Sequence, residues 1–439
     1  MTATPADVPV PGGDGSQTLT LSALLKRPIT ARDGESLGRL SDVIVRLRGA
    51  DYPLVTGLVA AVGGRPVYVP VEQVGSLNAG ELKLTSARLS LRRFERREGE
   101  VLLRADVLGH RLIDVARAHL VRAADLQLAQ RDGAWVLSGV DARRRPRGTR
   151  WLTAGGRQEP DQRFFRDQSQ FEVLIGHTGS AVLRGPFARI RGLKPAQIAD
   201  LIEDASKAEE SEILGRVHAD PELEADVFEE LDEDLATRLL GARSDQDVAE
   251  VLSRMRADDA ADAIAELPQR RREPVLDLLP PGQRAKVLTL MGFSPTSAGG
   301  LMGMDYLALP ASTAVADVLL EVRQAVSLQP EALTSVHAVS EQGRLVAVAR
   351  LVTLLQAAPR AQLGDVSDHD PVRVGPDTDV VDVAVLMTDY NLITIPVVDD
   401  RCQLLGVITV DDVLEVALPE DWRRREAAEP PDGRRGEPR

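Results

Sequence analysis

The stretch VLSRMRADDAADAIAELPQRRREPVLDLLPPGQRAKVLTLM, residues 251–291, carries the pattern that decides the fold. Apolar pairs recur in it every twelve residues, at Val251-Leu252, Ala263-Ile264, Val275-Leu276 and Val287-Leu288, and the spacing reaches back to Leu239-Leu240 and Val227-Phe228. A third apolar residue follows three positions later at Leu231, Met255, Leu267, Leu279 and Met291, with Arg243 at that place in the remaining unit. Such a unit has room for about two helical turns and a corner. A helix that short cannot bury its apolar stripe alone, so the repeat predicts stacked helices forming a small α-superhelix. Pro268 and the Pro280-Pro281 pair stand at unit ends, where proline stops one helix and can open the next. Asp245 and Asp258 fall at the starts, where N-caps are expected.

On the C-terminal side the pattern changes. Strand-like Tyr306 to Leu309, helical Val315 to Val326, strand-like Ser335 to Val339 and Arg344 to Ala349, then Leu351 to Gln356, form one cycle, and a similar cycle runs from Val372 to Val416. Alternation in two consecutive copies predicts a pair of α/β modules. Each would leave an apolar helical face, such as Val383, Leu386 and Met387, for a second copy to cover.

On the N-terminal side, from about Leu19 to Val140, short β-branched runs are broken by the turn signals Asp33-Gly34, Gly63-Gly64 and Asp132-Gly133. This predicts a small all-β region, open to being a duplicated one. Residues 143–150 hold five arginines with Pro146 and Gly148, and a polar stretch to Phe171 follows, which suits an exposed linker.

The chain of 439 residues has a formal charge of −14, and residues 200–266 alone carry 22 acidic side chains against 6 basic ones. Phosphate backbones are bound by clustered Lys and Arg, so this acidity argues against nucleic acid as the main partner; cations or basic surfaces fit better. Trp151, Phe164, Phe165 and Phe171 read as packing residues rather than as a base-stacking platform. The longest charge-free stretch, Val287 to Met304, is broken by Pro295 and four glycines, whereas a spanning helix needs about 20 mostly apolar residues. The start of the chain lacks the basic and apolar regions of a secretory signal. With one cysteine, Cys402, no internal disulfide framework or thiolate zinc site can form. A cytoplasmic location is expected. No P-loop or H-E-x-x-H motif is present and the six histidines are scattered, so no enzyme chemistry is expected.

MRADDAADAIAELP (255–268), followed by SPTSAGGLM (294–302), resembles the cytosolic N-terminal superhelix of MgtE-type magnesium transporters and its hinge. LMTDYNLITIPVVDD (386–400) and LLGVITVDDVLEV (404–416) resemble the second of that family's two CBS modules. DGESLGRLSDVIVRL (33–47) and VTGLVAAVGGRPVYVPVEQV (55–74) are similar to PRC-barrel modules, whose functions are too diverse to transfer. The fold expected is thus multidomain α+β: N-terminal small β-barrels, a central α-superhelix and a C-terminal α/β CBS pair. In residues, the divisions are a disordered 1–17, a β region at 18–141, a linker or strap at 142–191, the superhelix at 192–292, a hinge at 293–304, CBS modules at 305–368 and 369–418, and a disordered tail at 419–439.

The resemblance implies a homodimeric, cytosolic magnesium sensor in which Mg²⁺ bridges acidic faces of the superhelix and the CBS pair. It controls a separate membrane transporter or channel, or serves as the cytosolic subunit of a split transporter. Mg²⁺ keeps most of its waters and takes one or two carboxylates directly, so no tidy ligand motif is required. Asp258 and Asp262, four apart on one helix face, match magnesium-bridging positions of the superhelix; Asp377, Asp379, Asp389, Asp412 and Glu415 match those of the second module. GVITVDD (406–412) also fits the CBS nucleotide signature, with Thr409 contacting phosphate and Asp412 the ribose of ATP or another adenine nucleotide. This makes an adenine-nucleotide energy sensor the alternative reading. In the first module, LVAVARLVTLL (345–355) puts Arg350 and Thr353 at those places. Asp412 is claimed by metal, by ribose and by a plain helix cap.

Overall fold

The computed structural model describes residues 17–48, 51–78, 82–85, 94–97, 99–143, 164–174, 189–326 and 328–417. The expected unstructured start and tail, except Gln17, and the arginine-rich 144–150 with Trp151 lie outside them. The chain divides into two compact units, Met1–Asp232 and Glu233–Arg439.

In the first unit, β1 (Thr18–Thr20), β2 (Pro28–Thr30), β3 (Ser36–Arg48), β4 (Asp51–Val62), β5 (Arg65–Pro70), β6 (Val74–Leu77), β7 (Leu82–Leu84), β8 (Glu100–Leu102), β11 (Asp125–Arg131), β12 (Ala134–Asp141) and β13 (Arg166–Asp167) join in one sheet. Its path is β1-β11-β12-β4-β3-β2-β7-β6, with β5, β8 and β13 on the flanks of β4, β3 and β12, a half-barrel. Gly63 and Gly64, with φ of +57° and +80°, supply the left-handed pair that a two-residue hairpin between β4 and β5 requires. Leu40, Leu58, Leu82 and Leu126 of these strands turn inward and share one core with Leu103 and Leu112. A smaller sheet, β10-β9-β14, is built from β9 (Arg111–Asp114), β10 (His119–Arg122) and β14 (Phe171–Val173). Residues 166–173, expected to be linker, are therefore two short strands, Arg166–Asp167 and Phe171–Val173, joined by a 3-10 turn at Gln168–Gln170. The buried Phe165 and Phe171 anchor them, and the Asp114–Arg166 ion pair ties one to β9.

After a short helical turn, α1 (Leu21–Leu24), the helices are α2 (Pro195–Glu203), α3 (Lys207–Val217), α4 (Pro221–Glu229), α5 (Glu233–Gly241), α6 (Asp245–Leu252), α7 (Ala257–Glu266), α8 (Gln269–Leu278) and α9 (Pro281–Leu290). Each twelve-residue unit is one helix, and of the paired positions Phe228, Leu240, Leu252 and Ile264 are buried. Within the second unit α7 packs on α5, α8 and α9, and α6 on α8. The caps sit one or two residues earlier than expected. Ser244, whose side chain accepts the Asp247 amide, caps α6, and Arg256 stands at the N-cap of α7, leaving Asp245 and Asp258 in the first turns.

The CBS pair follows. Its first sheet holds β15 (Ala308–Pro310), β16 (Ser335–Val339) and β17 (Leu345–Arg350); its second holds β18 (Thr394–Val398) and β19 (Leu404–Thr409). The helices are α10 (Ala298–Leu301), α11 (Val315–Gln324), α12 (Leu351–Gln356), α13 (Leu363–Val366), α14 (Val380–Tyr390) and α15 (Val410–Ala417). Residues 297–303, expected as a hinge, are exchanged into the second module, where they bridge to Asp379 and to Val407, whereas Gln362 and Asp368 bridge back to Ala314 and Val348 within the first. Across the pair, Thr394 Oγ1 donates to Ser335 Oγ at 3.0 Å, each the first residue of its strand. No helix among the described residues is long and apolar enough to cross a membrane.

Candidate functional site

The second unit brings three segments together at the start of α15. β19 ends at Thr409, and the chain turns into the helix with Asp412 in its first turn. The Thr409 amide donates to Asp412 Oδ2 at 3.0 Å, which is half of a capping box. The Thr409 hydroxyl lies 2.7 Å from the same oxygen and 2.5 Å from Asp411 Oδ1. The plain capping role is thus filled, with Asp412 Oδ1 still facing outward from the turn.

That second oxygen accepts from Arg256 Nη1 at 3.0 Å, across 156 positions of sequence. Arg256 Nε also donates to Asp259 Oδ2 at 2.6 Å, so the arginine at the head of α7 links α7 to α15. Burial lifts the Asp412 carboxyl to about 6, against the lowering effect of the Thr409 donors and of Arg256. Asp258, 9% exposed, is also held above the ordinary carboxylate range by burial; Arg256 and first-turn amides pull it back, and Asp305 pushes it further up. Asp258 and Asp412 each feel Arg256, and Asp258 raises Asp412 in turn. Asp305 is paired with Lys286 Nζ at 2.6 Å.

Of the expected metal residues, Asp258 and Asp412 are both buried, and the charge of Asp258 raises Asp412. Asp379 is exposed, and its carboxylate accepts the Val381 amide at 2.8 Å as the N-cap of α14. Asp262, Asp377 and Asp389 are exposed, and no described interaction joins Asp377 or Asp389 to the cluster. Glu415 lies in α15, and its side chain falls outside the described residues. Among the described residues no group of three or more metal-capable side chains closes around a point. Sequence reasoning missed Arg256 and Asp305. Arg256 stands at a cap position where arginine carries no signal, and Asp305 lies in a non-repeating junction.

The register equates the two modules: Thr394 pairs with Thr409 as Ser335 pairs with Arg350. Arg350 and Thr353 therefore stand where Thr409 and Asp412 stand, and both are exposed.

Residues 193–296 match the MgtE intracellular N domain and residues 363–419 a CBS domain. The magnesium transporter MgtE of Thermus thermophilus is 37% identical over 183 residues, 40% of this chain and 40% of that protein. The MgtE of Bacillus subtilis is 23% identical over 228 residues, 52% of this chain and 50% of that protein. The chain thus spans half or less of the length of these relatives. Among solved structures, the cytosolic domain of the Mg²⁺ channel MgtE in complex with ATP is 29% identical with a TM-score of 0.49, covering 54% of this chain and 94% of that one. The soluble part of a magnesium transporter gives 22% and 0.48, covering 52% and 89%. Both family matches lie beyond residue 192, so the PRC-barrel resemblance of the strand-rich region is not confirmed by them. Residues 193–296 thus form an MgtE N domain and residues 363–419 a CBS domain, and that part of the chain is homologous to MgtE magnesium transporters.

Proposed function

We propose that the chain is a magnesium-responsive regulatory protein, a binding device rather than an enzyme, whose α7 docks on the second CBS module when Mg²⁺ is abundant. Its state is read by a separate membrane transporter or channel, or by a cytosolic partner. The observation that carries this reading is the contact of Arg256 at the head of α7 with Asp412 in the first turn of α15, beside the buried Asp258. Like charges closer than the Debye length of ~8 Å repel, and a hydrated Mg²⁺ relieves this without a closed ligand cage. Differential affinity for the docked form makes the ion an effector. X-ray scattering at equal ionic strength is expected to show a smaller radius of gyration in MgCl₂ than in KCl, and no such difference for Asp258→Ala with Asp262→Ala. Identical responses to the two salts would overturn the reading.

The second reading, an adenine-nucleotide sensor, is favoured by Thr409 and Asp412 being fixed against each other at the head of α15. Calorimetry with ATP and with Mg²⁺ on one sample separates the two.

A homodimer through the CBS pair is part of the proposal, with a corrected face. Val383 and Met387 lie under their own module, because helical spacing turns them with Val380 toward the sheet. Exposed apolar residues of the pair include Val381 and Val385 on α14, Leu414 on α15, and Val352 and Leu355 on α12. Sedimentation is expected to give a dimer for the wild type and a monomer for Val385→Asp; a monomeric wild type at high concentration contradicts it.

A further inference from the structure

Charge is divided unevenly along the chain. Residues 18–192 hold 29 basic side chains against 18 acidic ones, the reverse of the balance in the whole chain. Within this region the two signs also lie at different depths. Seven carboxylates are buried, Asp42 and Glu100 among them, whereas no described lysine or arginine of the region is. These two acids are held by backbone amides and take up no cation: Asp42 accepts from Val43 at 2.8 Å, Arg104 at 2.7 Å and Ala105 at 3.1 Å, and Glu100 from Arg97 at 2.9 Å.

Basic side chains gather on one face above them. Leu40, Val43 and Val45 of β3 point into the core, which turns Arg39, Asp42, Ile44 and Arg46 to the other side of the sheet. The register sets Arg39 beside Ala61 of β4, which pairs with Pro66 of β5, and Tyr68 shares that face two residues on. Arg97 lies over the Tyr68 ring at 5.1 Å, and Arg104 donates to the Ser41 carbonyl at 3.2 Å. Arg39, Arg46, Arg97 and Arg104 are all exposed, and among the described residues none of the four is ion-paired. The face runs about 20 Å along β3.

We propose that this face binds the anionic surface of a phospholipid bilayer and so holds the chain against a membrane. Nucleic acid is the other polyanion of matching charge, but the aromatic ring here is closed to bases. A Cβ on Gly57 would meet Tyr68 Cε2 at 2.4 Å, so the ring rests on the sheet, and Arg97 covers it. Tyr52 and Phe164 are covered too, by Arg131 at 4.0 Å and Arg143 at 3.5 Å. A lipid surface asks only for positive charge within a Debye length of ~8 Å, so the local face rather than the net charge governs contact. Membrane attachment is independent of the magnesium response proposed above.

The test is co-sedimentation of the full chain, without divalent cations, with vesicles of phosphatidylcholine alone and with vesicles holding about one third phosphatidylglycerol. Binding is expected to the anionic vesicles only, and to be lost as KCl rises from about 0.1 M to about 1 M, where the Debye length falls from ~10 to ~3 Å. Arg39→Gln with Arg46→Gln is expected to weaken binding about tenfold or more, and Arg39→Lys with Arg46→Lys to leave it within about twofold, because charge and not a planar fork is read. Arg270→Gln with Arg323→Gln removes the same charge from exposed positions outside the region and is expected to change nothing. No binding to anionic vesicles, equal binding to both kinds, or unchanged binding by the Arg39 and Arg46 glutamine pair overturns the proposal. So does an equal loss from the lysine pair or from the outside pair. Tighter binding to an oligouridine RNA in the same salt makes nucleic acid the partner and also overturns it. None of these outcomes touches the magnesium reading, which stands or falls on compaction in MgCl₂.

Discussion

The two CBS modules share a fold but not a site. Strand for strand they superimpose in register, with Ser335 matching Thr394, Ala347 matching Gly406, and Arg350 matching Thr409. The first module ends its last strand on an exposed arginine, whereas the second ends on a threonine locked to a buried aspartate. Their interiors differ as well. His337 of the first module is buried with Nε2 unpartnered, and Pro396 takes its place in the second. Packing therefore fixes the module, and a few residues at one strand end fix what it can hold.

The largest expected effect tests the buried histidine. Burial depresses His337 to about 4, while its Nδ1 lies 3.3 Å from the Leu307 carbonyl. The unfolded chain, with an ordinary histidine, binds the extra proton first as pH falls, so stability is present above about 6.5 and is lost on the way down to about 4. The full loss is about 3 kcal/mol. Asp412, raised, acts with the opposite sign in part of this window. The measurement is therefore the difference between wild type and His337→Leu in urea melts at pH 7 and pH 4.5. The variant should lack the downward slope that the wild type shows, and parallel curves would contradict the assignment.

Next comes Gly406. A Cβ there would meet Met302 at 2.7 Å and the Gly303 carbonyl at 2.9 Å, where the exchanged segment crosses β19. Gly406→Ala is expected to cost about 2 kcal/mol, although alanine is native at the equivalent Ala347. Ala347→Gly should cost under about 1 kcal/mol, from chain entropy and a lost methyl. Equal costs at the two sites would erase this contrast between the modules.

The smallest effect concerns caps. Asp379 caps α14 with its carboxylate, whereas the equivalent Ala314 at the head of α11 has no side chain to do so. Asp379→Ala is expected to lose about 1 kcal/mol in metal-free buffer, and Ala314→Asp to gain a similar or smaller amount. A loss from Asp379→Ala that appears only with Mg²⁺ present would make this residue a metal contact instead.

Much of this was legible in the residues. The twelve-residue period marked every helix from α4 to α9, because each must bury the same two or three positions. Asp132-Gly133 and Gly63-Gly64 marked their hairpins, because few residues tolerate φ above zero. What stayed hidden was set by distance. No local pattern shows that residues 297–303 belong to a strand partner a hundred positions away, or that Arg256 reaches Asp412. The cap positions were misread by one or two residues, since several polar residues crowd each helix start and only backbone angles choose between them. The burial of Val383 and Met387 was misassigned because apolar residues surround α14, and the period alone does not say which side the sheet is on.

The crossing of residues 297–303 into the second module also sets an order of events during synthesis. Gly303 must wait for Val407 before its strand pairing can close, while the whole first module emerges in between. Contacts of such high sequence separation slow folding and reward it late. The two modules therefore cannot be separated by cutting between them: a chain stopped after residue 368 leaves Ser297 and Gly303, at the two ends of α10, without their bridging partners Asp379 and Val407. Translation and cooperative assembly are thereby coupled, and the leading segment waits on a partner that the ribosome delivers about a hundred residues later.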